Sequence, residues 1–172
     1  MGLKDPKKES DAITKFRNVL IKKNKVLEEQ IKETPDKYIK DIANNLMKYI
    51  FSYDDLKNVD FFFVSPKFRK EKLENYIKSH GMQIDLIEKT INHFVQIFEA
   101  QKKKINPLEI NKKCSEYLYD NRKTLTNNDV FKFLKYVLTG TETPLLFSEV
   151  CEMLGKERII ERMKKVEEIF KK

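Results

Sequence analysis

A chain of 172 residues has room for one domain or two small ones, which argues against a complete two-substrate enzyme. Charged residues make up 36% and hydrophobic residues 40%, with twelve Phe and seven Tyr, so the chain can bury a real core and is no disordered tail. Thirty-five Lys and Arg against 27 Asp and Glu leave a net charge of +8 spread along the chain, which favours phosphate-rich or acidic partners without naming one.

Long stretches repeat apolar residues every three or four positions, the period of a helix with one buried face, and predict an all-α protein of about eight or nine helices with no significant sheet. Ser10 can cap a first helix with the stripe Ile13, Phe16, Leu20, Leu27, Ile31. Thr34-Pro35 opens a second, with Ile39, Ile42, Ala43, Leu46, Met47 and Ile50 inside. A short helix is expected over 52–60, with a capping pair at Thr126 and Asp129 farther on. The run Val59 to Val64 is strand-like but has no partner strand, so its phenylalanines read as an anchor between helical layers. Ser65-Pro66 ends that run and is the best domain boundary, dividing 1–66 from 67–172.

Beyond it, a helix over about 68–80 stops at Gly81, and Ile84, Ile87, Ile91, Phe94, Val95 and Phe98 give the most regular stripe. Asn106-Pro107 opens a helix with Ile110, Cys114 and Leu118 inward. Val130, Phe131, Leu134, Val137 and Leu138 line the next, which ends at Gly140. Thr143-Pro144 starts another, Gly155 ends it, and Ile159, Ile160, Met163, Val166 and Phe170 line the last. There is no internal repeat.

Catalytic signals are thin. Cys114 and Cys151 suit neither a disulfide framework nor a zinc knuckle, and point to a reducing compartment. His80 and His93 have no carboxylate at metal-ligand spacing, so both read as satisfied or exposed, and no metal or cofactor is expected on this chain. Gly-rich phosphate loops, a nucleophile elbow and zinc-protease spacing are missing. No apolar run has membrane-spanning length, and the expectation is a soluble protein acting as a monomer.

Three blocks near the C-terminal end are more specific. Lys135-Tyr136-Val137-Leu138-Thr139-Gly140, then Glu142-Thr143-Pro144-Leu145-Leu146-Phe147, then Met153-Leu154-Gly155-Lys156-Glu157-Arg158-Ile159 resemble the closing region of bacterial and organellar type glutamyl-tRNA synthetases. Leu56 and Phe61-Phe62-Phe63, followed by a proline and a helix, resemble the junction between that family's two helical anticodon-binding subdomains. The resemblance implies that 1–66 holds the connection and proximal part, and 67–172 the distal subdomain. It implies tRNA, in particular tRNA(Glu), as partner, in a bacterial cytoplasm or an organelle matrix or stroma. The family's catalytic half is not in this sequence, and ATP and magnesium would belong to it.

The positions matching the family's pocket for the second and third anticodon bases are Lys135, Thr143, Pro144, Leu146 and Phe147. Splayed bases are read on their edges, stacked on aromatic faces and held by cations at the phosphates. Lys135 is thus expected at a phosphate or base edge, Thr139 and Thr143 as donors and acceptors, and Pro144 and Phe147 as apolar walls, with free N–H groups at a helix starting at Pro144. Arg122, Lys123, Lys132, Lys156, Arg158 and Arg162 are candidates for the tRNA backbone. Ser52 stands where some members carry an Arg that discriminates against glutamine tRNA, which leaves the first anticodon base open; Lys48 and Lys57 lie nearby. The alternatives are a helical module that docks a protein through residues such as Phe68, Tyr117 and Tyr119, or an RNA binder acting through charge alone.

Overall fold

The computed structural model describes residues 6–46, 59–102, 104–124 and 129–171. Among them are nine α-helices and no strand, as the helical periodicity predicts. The expected short helix over 52–60, the cap at Thr126, and Lys48, Ser52, Leu56 and Lys57 lie outside the described residues, apart from Val59 and Asp60. The chain divides into two compact units, Met1–Val64 and Ser65–Lys172.

In the first unit, α1 (Pro6–Lys23) starts upstream of Ser10, whose carbonyl accepts the Thr14 hydroxyl at 3.0 Å inside the helix. The apolar stripe does not run unbroken to Ile31. Asn24 folds its side-chain amide onto the Leu20 carbonyl at 3.0 Å, and a 3-10 turn (Lys25–Leu27) separates α1 from α2 (Glu28–Glu33). Arg17 then closes the end of α2, donating to the carbonyls of Ile31 and Thr34 at 2.5 and 2.7 Å and pairing with Asp36. Thr34 does not cap forwards as expected; its hydroxyl donates back to the Gln30 carbonyl at 2.6 Å. The following helix, α3 (Asp36–Leu46), lays Ile39, Ile42 and Leu46 against α1, where Phe16 and Leu20 are also buried. The Val59–Val64 run forms a 3-10 turn (Asp60–Phe62), not a strand. Phe61 and Phe62 are buried, and the Tyr38 hydroxyl donates to the Phe62 carbonyl at 2.6 Å.

The second unit comprises α4 (Lys70–Ser79), α5 (Ile84–Ala100), α6 (Pro107–Asp120), α7 (Asp129–Thr139), α8 (Phe147–Leu154) and α9 (Lys156–Lys171). Its spine is the pairing of α5 with α9, with Ile87, Ile91, Phe94 and Phe98 of one helix and Ile159, Met163 and Val166 of the other buried. Burying each such side chain is worth about 1.5–3 kcal/mol before ordering costs. Helix ends are closed by specific groups. The Asn106 side-chain oxygen accepts the Leu108 N–H at 3.0 Å beside Pro107, as its sequence predicts. The Lys156 ammonium donates to the Glu99 and Gln101 carbonyls at 2.9 and 2.8 Å, closing α5. Gly81, Gly140 and Gly155 follow α4, α7 and α8 with positive φ.

Candidate nucleic-acid interface

The joint between α7 and α8 brings together most of the residues singled out by sequence. Gly140 leaves α7 at φ +69°, its N–H donating to the Tyr136 carbonyl at 2.7 Å. A Cβ at this position would stand 2.9 Å from the Pro66 Cβ, so the turn needs glycine for both conformation and space. The Thr139 hydroxyl lies 2.9 Å from the Lys135 carbonyl and 2.8 Å from the Thr141 carbonyl. Thr139 is buried, so it fixes the turn and presents no hydroxyl to a base.

Lys135 sets the course of the loop that follows. Its ammonium donates to the Thr143 and Leu145 carbonyls, both at 2.9 Å, so two of its three donors hold protein and one is left for a ligand. Burial, then the nearby Lys132 charge, lowers its pKa, while Glu142 acts in the opposite sense. With those two carbonyls drawn to Lys135, the chain stays extended, Leu146 having φ −72° and ψ 151°. The helix expected at Pro144 therefore begins only at Phe147. The Glu149 carboxylate accepts the Leu146 N–H at 3.3 Å, so the N–H groups expected at Pro144 are not a helix terminus.

Two recesses adjoin at this joint. The first, about 360 Å³, is walled by Asn111, Cys114, Ser115 and Leu118 of α6 and by Phe131, Lys132 and Lys135 of α7, with Leu146 and Phe147 across from them. Leu146 is 57% exposed, an unusual position for a large aliphatic side chain inside a cleft. Phe147 is 9% exposed, with its ring centroid 5.9 Å from that of Phe131 and 6.2 Å from that of Phe94, so it is largely core and offers only an edge. The second recess, about 230 Å³, is lined by Tyr76 of α4 and His80 just past its end, Lys132, Lys135 and Tyr136 of α7, and Thr141, Glu142 and Thr143 of the loop. Thr143 is half-buried and its hydroxyl accepts the Leu145 N–H at 3.4 Å, while Pro144 is exposed. Lys132 and Lys135 belong to both recesses and form the ridge between them.

Sequence reading missed the α6 wall and the aromatic group of the second recess. Tyr76 and His80 stand four residues apart on one helix face, a spacing that permits ring stacking, but nothing local indicated that α7 would bring Tyr136 beside them.

The six candidate backbone contacts separate. Lys123 and Lys132 are exposed at the surface. Arg122 and Arg158 are exposed too, each donating to a carbonyl of its own neighbourhood, Tyr119 at 2.9 Å and Leu154 at 3.2 Å. Arg162 is only 4% exposed and donates to the Leu138 carbonyl at 2.7 Å, so its charge stabilises the end of α7 and does not face solvent. Lys156 is engaged on α5, as described above. Of the aromatics weighed for protein docking, Phe68 packs on Tyr136 and Tyr117 contacts Thr90 and His93, leaving Tyr119 exposed beneath the Arg122 guanidinium.

A cationic ridge between an apolar recess and an aromatic one is an arrangement suited to unstacked nucleotides. The model of the family described as the anticodon binding domain matches residues 15–167, and the chain belongs to that family. Its function is accordingly tRNA anticodon recognition, with tRNA as the partner. No curated protein and no solved structure matches the chain significantly. Among the described residues, no helix is long and apolar enough to cross a membrane.

Proposed function

We propose that this anticodon-binding domain serves a glutamate-tRNA ligase, holding tRNA(Glu) as a monomer while a separate catalytic domain, using ATP and magnesium, joins the amino acid. Lys135, Thr143, Pro144, Leu146 and Phe147 meet the second and third anticodon bases. Leu146 and the edge of Phe147 supply apolar contact, Lys135 holds the loop and offers its remaining donor, and Thr143 supplies a polar edge. Lys132 lies at the rim for a phosphate.

The observation that carries this reading is that the first two sequence blocks meet in one joint, with the third following at the far end of α8. Lys135 of the first donates to carbonyls of the second, and the second leads into α8, which ends within the third at Gly155. The test is a filter-binding titration of the chain against tRNA(Glu), tRNA(Gln) and an unrelated tRNA at low and moderate salt. The reading requires tightest binding to tRNA(Glu) at both. Equal affinity for all three, with only a salt slope, reduces the domain to a charge-driven RNA binder.

A further inference from the structure

The second recess is lined by the Tyr136, Tyr76 and His80 rings, part of a ladder that begins at Phe68 and that the anticodon pocket described above does not use. Phe68 and Tyr136 have centroids 5.2 Å apart, Tyr136 and Tyr76 stack at 4.5 Å with planes 9° apart, and Tyr76 and His80 stack at 4.1 Å with planes 19° apart. Among the described residues, His80 ends the series. It is half-buried, lines the recess, and is held in orientation from behind: Nδ1 lies 2.8 Å from the Tyr76 carbonyl. A carbonyl can only accept, so Nδ1 carries the proton in that contact and Nε2 is the ring's other polar atom. Around the same recess stand the Lys132 and Lys135 side chains, the Thr141–Thr143 segment and the Glu142 carboxylate, an acceptor for an exocyclic amine.

A preorganised stack that ends in an accessible ring is what a lone nucleobase needs, since every base has a π-face and loses little by exchanging one stacking partner for another. About 230 Å³ is below the usual size of a small-molecule pocket and suits a single ring system. The recess shares its lysine ridge with the apolar one, so two bases splayed to either side would leave their linking phosphate over Lys132.

We propose that the His80–Tyr76–Tyr136 ladder is a stacking shelf for one further unpaired base of the anticodon loop, adjoining the bases held beside Leu146 and Phe147. The shelf rests on the reading given under Proposed function and extends it beyond the triplet. His80 is its contact residue, Tyr76 and Tyr136 are positioning residues, and Glu142 favours a base that carries an amino group over uracil.

The test is a double-mutant cycle on the full chain. Its probes are the tRNA(Glu) anticodon stem-loop and a series of the same RNA with one abasic nucleotide at each loop position. His80→Ala should weaken the intact stem-loop about tenfold, with His80→Phe restoring most of the loss, because stacking and not the ring nitrogen carries it. One abasic position next to the triplet should weaken the native chain by a similar factor and leave His80→Ala unaffected. Abasic positions within the triplet should weaken both proteins alike. Losses that add at every position, or native affinity in His80→Ala, overturn the shelf while leaving the anticodon pocket standing. Absence of any binding to the intact stem-loop by the native chain overturns both.

Discussion

Lys135 illustrates how a residue picked out as a ligand contact works mainly through the fold. With two donors on the Thr143 and Leu145 carbonyls, its removal frees the loop that presents Leu146. Lys135→Met is therefore expected to weaken tRNA(Glu) more than Lys132→Ala does, by at least about tenfold, or ~1.4 kcal/mol, in a binding titration. Losing no more than Lys132→Ala would remove Lys135 from the site. The cysteines give a second prediction at this scale. Burial pushes the Cys114 thiol up to about 12 and holds the fully buried Cys151 well above the ordinary thiol range. A thiol whose folded pKa is raised stabilises the fold fully while both states are protonated. That contribution declines as pH rises above the ordinary thiol value, because only the unfolded chain then ionises. Alkylation by iodoacetamide at pH 8 should be slowest for Cys151, faster for Cys114, which lines the first recess, and rapid for both in urea. Rapid labelling of Cys151 in the folded chain would contradict its burial.

The elements are joined by glycines whose costs differ in a predictable order. Gly140→Ala forces a left-handed backbone on alanine and drives its Cβ against Pro66, whereas at Gly81, also at positive φ, a Cβ meets open space. Urea denaturation should show Gly140→Ala losing about 1–3 kcal/mol and more than Gly81→Ala. Equal losses would mean that Pro66 yields freely. The helical period and the three glycine stops were visible because both are local properties of a few successive residues. The helix start near Pro144 was misread because a rule for helix openings sees Thr-Pro but not the ammonium of Lys135 eight residues earlier, which draws two loop carbonyls out of helical register. Arg162 read as a surface cation for a related reason: its partner, the Leu138 carbonyl, is brought near only when α9 packs on α7. Leu146 and Thr143 were singled out through motif order, while His80 and Tyr76 needed the tertiary stack to draw notice.

For the whole molecule, the net charge of +8 and the specific joint make separable contributions to RNA affinity. Diffuse charge is expected to attract every tRNA and fade with salt, while on the proposed reading the α7–α8 joint discriminates among loops. The two are told apart most directly by transplanting the glutamate anticodon triplet into an unrelated tRNA and measuring its affinity for the chain at moderate salt, beside the reciprocal swap. Affinity should follow the triplet, rising at least about tenfold in the recipient and falling as much in the tRNA(Glu) that has lost it. If affinity stays with the tRNA body whichever triplet it carries, the joint does not read the anticodon and the central claim is wrong.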